Sequence, residues 1–239
     1  MTIVPQLIIR NRLLSSLEPH DFARLAPHLE AVELPRLYEL SSPGKITNYC
    51  YFLDTGIGSI VAETSGGHKA EIGIFGHEGM SPTSIVMQVP TTPFAAFMQV
   101  SGRGYRIQSI QLSHAIEESF NLRSLLLRFA QVMSVQTSYT ALSNATDNIE
   151  QRLARWLLMC DDRSNGETID LTHAFLSVML AVRRQSITTS LHVLEGKHLI
   201  SSGRNRIRVR DRKGLEGFAS GTYGPAEDEY RRLIGSFGN

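Results

Sequence analysis

The chain has 239 residues, 42% of them hydrophobic and 20% charged, which suits two modest soluble domains or one large one and argues against disorder. No run approaches the roughly 18 apolar residues of a membrane span, and the N-terminus lacks the order of an export signal, so a cytoplasmic protein with no membrane partner is expected. Cys50 and Cys160 lie far apart and outside any C-x-x-C pair, which argues against a disulfide framework or a cysteine-ligated cluster and for two buried thiols.

Leu13, Leu14 and Leu17 recur at helical spacing, and Phe22, Leu25, Ala26 and Leu29 share one face, predicting small entry helices. From Ala31 to Ile110 the pattern changes to short β-prone runs: Ala31 to Leu40, Tyr49 to Leu53, Ile57 to Glu63, Ala70 to Phe75 and Phe94 to Val100. Ser-Pro-Gly, Asp-Thr-Gly and Ser-Gly-Gly turns separate them. That rhythm predicts an antiparallel sandwich or roll.

Asn121 to Ser143 contains neither Gly nor Pro and predicts one long helix. Leu122, Phe129 and Gln136 are seven apart, as are Leu126, Met133 and Thr140, so these rows are expected to form a coiled-coil-like seam in a homodimer. The competing reading is a helix buried in its own domain. Ile149, Leu153, Trp156, Leu157 and Cys160 then mark another helix, which Asp162 to Gly166 is expected to break.

The net charge of +1 hides a segregation. Arg183 to Lys213 holds nine Lys or Arg against Glu195 and Asp211, a local balance of +7 that leaves −6 for the remainder. The same region reads as a winged helix-turn-helix. Thr172 is a suitable N-cap, Phe175 to Leu180 supplies a first helix, Ala181 and Val182 a tight bend, and Arg183 to about Lys197 a second helix buried through Ile187, Leu191 and Leu194. Its exposed face offers Arg184, Gln185, Thr188, Thr189 and His192. Arg can pair with guanine O6 and N7, Gln with adenine, and a Thr methyl with thymine. Arg204, Arg206, Arg208 and Arg210 alternate with Asn205, Ile207 and Val209, predicting a β-wing with guanidinium groups outward, toward phosphates.

Leu171 to Thr188, with Met179-Leu180-Ala181-Val182-Arg183-Arg184-Gln185 at its centre, and Leu194-Glu195-Gly196-Lys197-His198-Leu199-Ile200 resemble the DNA-binding domain of the Crp/Fnr superfamily. Ile149 to Leu158 looks like the helix that opens that domain. Tyr51-Phe52-Leu53-x-x-Gly56 and Gly73-Ile74-Phe75-Gly76-His77-Glu78-Gly79-Met80 are similar to the family's cyclic-nucleotide-type roll. The resemblance implies an α+β chain: a sensor β-roll with N-terminal helices over 1–110, a linker and dimerisation helix over 111–147, and a winged helix-turn-helix with a C-terminal tail over 148–239. It implies a transcription regulator whose base readers are Arg184, Gln185 and Thr189, with Arg183 and Thr188 near phosphates or flanking bases. The partners it implies are a second copy, an inverted-repeat operator in double-stranded DNA and, at a promoter, RNA polymerase.

Two departures stand out. The family's usual Gly between the helices is Ala181, which costs little if the backbone stays out of left-handed space. Between Lys69 and Arg103 there is no Lys or Arg to meet a cyclic phosphate; Phe94 or a neighbour stands where a guanidinium is expected, so cyclic AMP is disfavoured and the effector is left open. His77, Glu78, Phe94 and Phe97 are the candidate lining of any ligand pocket, with a filled apolar core the simpler reading of the phenylalanines. No cofactor, metal or catalytic residue is expected. Two other functions are considered: DNA binding that is ligand-independent or controlled by a protein partner, and a cupin-like metalloenzyme, which the absence of paired histidines disfavours.

Overall fold

A computed structural model describes residues 5–164, 166, 168–203 and 206–238. Helices α1 (Arg12–Ser15) and α2 (Pro19–Leu25) open the chain where the leucine spacing predicts them. Asn11 caps α1 by accepting from the Leu14 amide at 3.2 Å, and its own side-chain amide donates to the carbonyls of Leu53 and Gly79 at 2.9 and 2.8 Å. A buried polar group is thus fully engaged, and it ties the entry helices to the strands.

Eight strands follow: β1 (Glu30–Leu34), β2 (Glu39–Ser41), β3 (Tyr49–Leu53), β4 (Ile57–Glu63), β5 (Lys69–Phe75), β6 (Met80–Ser81), β7 (Ala95–Val100) and β8 (Gly102–Gln108). They form two four-stranded sheets, ordered β1-β8-β3-β6 and β2-β7-β4-β5, the β-roll that the turn rhythm predicts. The expected single run from Ala31 to Leu40 is divided between the sheets, because Leu37 takes a φ of +67° and turns the chain. Strand β8, which alternation does not single out, pairs antiparallel with both β1 and β3. Its glycines explain both facts. A Cβ on Gly102 or Gly104 would lie 2.0 Å from the Thr55 carbonyl oxygen or 2.2 Å from that of Phe52, so close backbone approach requires residues that carry no strand signal.

Helices α3 (Ser109–Glu118), α4 (Phe120–Thr146) and α5 (Ile149–Ser164) come next, then β9 (Ile169–Asp170), α6 (His173–Met179), α7 (Arg184–Gly196), β10 (Ile200–Gly203), β11 (Arg206–Val209), α8 (Arg212–Phe218) and α9 (Pro225–Leu233). β10, β11 and β9 form a third sheet in that order. Among the described residues no helix is long and apolar enough to cross a membrane. Neither cysteine is in a disulfide and both are buried, and burial pushes the Cys50 thiol up to about 12.

The chain divides into two compact units, Met1–Ile60 with Phe75–Gln131, and Val61–Ile74 with Val132–Asn239. In the first, Leu14, Phe52, Leu53, Ile57, Phe75, Met80 and Ile107 are buried; in the second, Leu153, Leu157, Ile169, Leu176, Ile187, Leu191 and Leu194.

The structure corrects the expected seam along α4. Leu122, Leu126, Phe129, Met133 and Gln136 are all buried within their own chain, and Thr140 is half-buried with its hydroxyl donating to the Gln136 carbonyl at 2.8 Å. Phe129 fills the space above Gly79, where a Cβ would lie 2.4 Å from its ring. Gln136 replaces a strand partner: its Oε1 accepts from the Ile74 amide at 2.7 Å and its Nε2 donates to the Ile74 carbonyl at 3.2 Å. The apolar row is the face that covers the chain's own strands. A different heptad row faces outward on α4: Phe120, Leu127, Ser134 and Ala141, with Gln131, Ser138 and Ala145 between them.

Candidate nucleic-acid interface

Thr172 caps α6, its hydroxyl accepting from the Phe175 amide at 3.2 Å. Leu176 and Met179 turn inward, and the helix ends at Leu180, whose carbonyl accepts from Arg152 of α5. Ala181 then adopts φ +51°. The condition under which alanine would cost little here is therefore not met: the turn needs the geometry a glycine would supply, and alanine holds it at a cost. Hydrogen bonds from the Ala181 amide to the Val178 carbonyl (3.2 Å) and from the Val182 amide to that of Ser177 (2.9 Å) close the bend.

The α7 helix begins at Arg184 with Arg183 as N-cap, within a residue of where sequence places it. Ile187, Leu191 and Leu194 are 0 to 1% exposed, and Ser190 on the same side donates to Glu150 of α5 at 3.0 Å. The opposite side stays in solvent: Arg183, Arg184, Gln185, Thr189 and His192 are exposed and Thr188 is half-exposed. The hydroxyls of Thr188 and Thr189 bond back to the carbonyls of Arg184 and Gln185, and the Thr188 oxygen also lies 3.1 Å from Nδ1 of His173 on α6. Arg183 provides no side-chain cap, so the positive end of the helix dipole is left open toward solvent.

In the wing, β10 and β11 pair antiparallel with Ser201 opposite Arg208 and Gly203 opposite Arg206. Ile207 is buried while Arg206, Arg208 and Arg210 are exposed, the alternation that the sequence shows. Arg206 is paired with Asp170 at 3.3 Å, both well exposed, a contact that orients the guanidinium without neutralising its surroundings. Arg204, also assigned to the phosphate backbone, lies outside the described residues.

The cationic island holds one member with another task. Arg212, at the start of α8, bonds Asp161 and Asp162 at 2.6 Å each, and Glu216 at 3.0 Å. Burial alone would lower its pKa, but the charge of Asp162, the neighbouring Tyr223 and the hydrogen bonds to Asp162 and Asp161 together outweigh this and the net displacement is upward. Tyr223 donates to Asp162 at 2.7 Å. Asp162, where the helix break was expected to begin, is instead buried with Asp161 inside α5, which continues to Ser164, because Arg212 supplies the counter-charge. In the same unit Trp156 donates to Glu71 at 2.6 Å, and Arg155 donates to the carbonyls of Thr222 and Gln136. Sequence reasoning missed these roles; the signal was two adjacent acids and three arginines, Arg152, Arg155 and Arg163, on one largely apolar helix.

The four candidate pocket residues lie in different settings. Glu78 is buried and accepts from the Gly76 amide at 3.0 Å, His77 is half-exposed with its carbonyl accepting from the Arg12 amide, Phe97 is half-buried, and Phe94 is 37% exposed. Phe94 is thus not a core residue.

Residues 151–218 match the Crp-like helix-turn-helix domain family. That match spans the helix from Gln151, both helices of the motif, the wing and α8. The chain carries a Crp-like helix-turn-helix domain on a Crp/Fnr fold. The fold rests on solved structures. A putative Crp/Fnr-family regulator from Eubacterium rectale matches with a TM-score of 0.68 at 13% identity, over 88% of this chain and 99% of that one. FixK2 from Bradyrhizobium japonicum matches with 0.67 at 16% identity, over 80% and 96%. The regulator CLP from Xanthomonas campestris, described as responsive to c-di-GMP, matches with 0.63 at 15% identity, over 80% and 99%. No curated protein sequence matches the chain. The domain match covers residues 151–218, and the likeness of the whole chain to these solved structures is one of fold.

Proposed function

We propose that the chain is a homodimeric, sequence-specific DNA-binding regulator that reads its operator through α7. One observation carries this reading. The inner face of α7 is fixed by a fully buried stripe, so Arg184, Gln185 and Thr189 are held outward on a rigid helix whose backbone cannot be spent on anything else. Arg183, Thr188, Arg206 and Arg208 surround that face and suit phosphates, and the uncapped start of α7 adds its own amide groups. In a two-fold dimer two such helices would enter successive major grooves, about 34 Å apart, of an inverted repeat.

The dimer seam is assigned to the outward row of α4, Phe120, Leu127, Ser134 and Ala141, whose small residues permit close approach of two helices. Control by cyclic AMP is not part of the proposal. The roll has no Lys or Arg between Lys69 and Arg103, and Phe75 and Phe129 fill its interior against Gly58 and Gly79.

The test is a selection of bound genomic fragments followed by titration of the selected site and a scrambled one. Arg184→Ala should cost about 1–3 kcal/mol and relax preference at one base pair, whereas Arg208→Ala should weaken both DNAs alike and reduce the salt slope by about 1. Equal losses on both DNAs for Arg184→Ala would remove it from the readers, and no retardation of any duplex at low salt would end the proposal.

A further inference from the structure

The first unit holds a cavity of about 720 Å³ whose walls include none of His77, Glu78, Phe94 and Phe97. Three segments build it: the approach to β3 at 46–49, the turn at 85 and 88–90, and the junction of β8 with α3 at 108–110, together with Ser113. Backbone hydrogen bonds tie these walls to one another. The Thr47 amide donates to the Pro90 carbonyl at 2.8 Å, the Ser109 amide to that of Asn48 at 2.9 Å, and Ile46 bridges to Thr91. Gln88 is held at φ +60° within the turn, a conformation that an L residue adopts only when its surroundings impose it. The cavity is preformed, and its volume lies in the ordinary range of small-molecule sites, about 300–1,000 Å³.

Its chemistry is specific. Ile46, Val89 and Ile110 are 71, 47 and 58% exposed at the walls, with Met87 at 55% beside them, so large apolar side chains that the fold leaves uncovered gather here. Amides and hydroxyls come from Asn48, Gln88, Gln108, Ser109 and Ser113, and the Thr47 hydroxyl is buried without a hydrogen-bond partner. Among the described residues no Asp, Glu, Lys, Arg or His lines the cavity. A charged ligand would shed its hydration there with no counter-ion, whereas an uncharged one could cover the apolar rim and exchange hydrogen bonds with the amides.

We propose that this cavity binds an uncharged amphiphile, an apolar chain or ring bearing a neutral amide or hydroxyl head. Its concavity favours a small molecule over a flat macromolecular partner. That it would serve as the regulator's effector site rests on the DNA-binding reading; binding itself is measured without DNA, so the two can fail separately.

Octanamide and octanoate share a chain and differ in charge. Each is titrated into the full-length protein at neutral pH and followed by saturation-transfer NMR with competition. Octanamide should saturate, with octanoate at least about tenfold weaker. Ile110→Lys, at an exposed wall position, places an ammonium group at the cavity and should shift the preference toward octanoate. Ser113→Trp, which fills the cavity from α3, should weaken both. The proposal is overturned if octanamide does not saturate, if the two bind alike, or if Ile110→Lys leaves the preference where it was. Concentration-dependent protection of the Ile46, Val89 and Ile110 amides in ligand-free protein would also overturn it, by showing that a second copy covers the face.

Discussion

Ala181→Gly should stabilise this protein, although it deletes a methyl group and adds a flexible residue. Ala181 sits at φ +51° in the turn between the two helices of the motif, and its side chain is exposed, so removing Cβ forfeits no buried contact. Holding an L residue in left-handed space costs about 1–2 kcal/mol. Glycine is free of that cost but gives back about 0.5–1 kcal/mol through the greater freedom of its unfolded chain. The balance favours glycine by about 0.5–1 kcal/mol, an increase of roughly 1–4 °C in Tm for a chain of this length. The assay is thermal unfolding by circular dichroism. Ala174→Gly serves as the control, since Ala174 is equally exposed but lies inside α6 with no positive φ, and there the same change should destabilise by up to about 1 kcal/mol. Because Ala181 is not a reader, operator affinity should be unchanged. An Ala181→Gly protein that melts at or below the wild-type temperature would refute the assignment of strain to this turn.

Charge on the outward row of α4 should prevent association: Leu127→Glu or Ala141→Glu is expected to give folded monomers by light scattering. Phe129→Ala should instead cost about 3–5 kcal/mol of fold stability, because that ring is buried against Gly79; if it gave stable, folded monomers, the inward assignment would be wrong. Glu227 accepts from the Gly224 amide at 3.0 Å, and burial, with the charge of Asp162, raises its pKa above the usual carboxylate range. A raised folded pKa means stability is fully present at acid pH below the unfolded value and is lost as pH rises through the folded one. Glu227→Gln should therefore be at least as stable as wild type at neutral pH, with the advantage vanishing in acid; denaturant melts across pH would show the opposite trend if the carboxylate were stabilised as an anion.

The chemistry of α7 was legible in the sequence because it is local. Thr172 announces a cap, Ile187, Leu191 and Leu194 define the inner stripe, and the residues left over, Arg184, Gln185 and Thr189, must then face outward. The strands at Tyr49 and Ile57 were legible for the same reason, since alternation and turn residues act within a few positions. What the sequence could not decide was which of two apolar partners a surface meets. The leucine and phenylalanine rows of α4 suit a second copy or the chain's own strands equally well by period alone, and only the close approach of Gly79 and the paired bonds of Gln136 to Ile74 settle the matter. Strand β8 was hidden because its glycines answer to carbonyls some 50 residues away, and Asp162 was misread as the start of a helix break because its counter-charge, Arg212, comes from another helix. Backbone propensity and periodicity are properties of neighbours along the chain, whereas packing and charge compensation belong to neighbours in space.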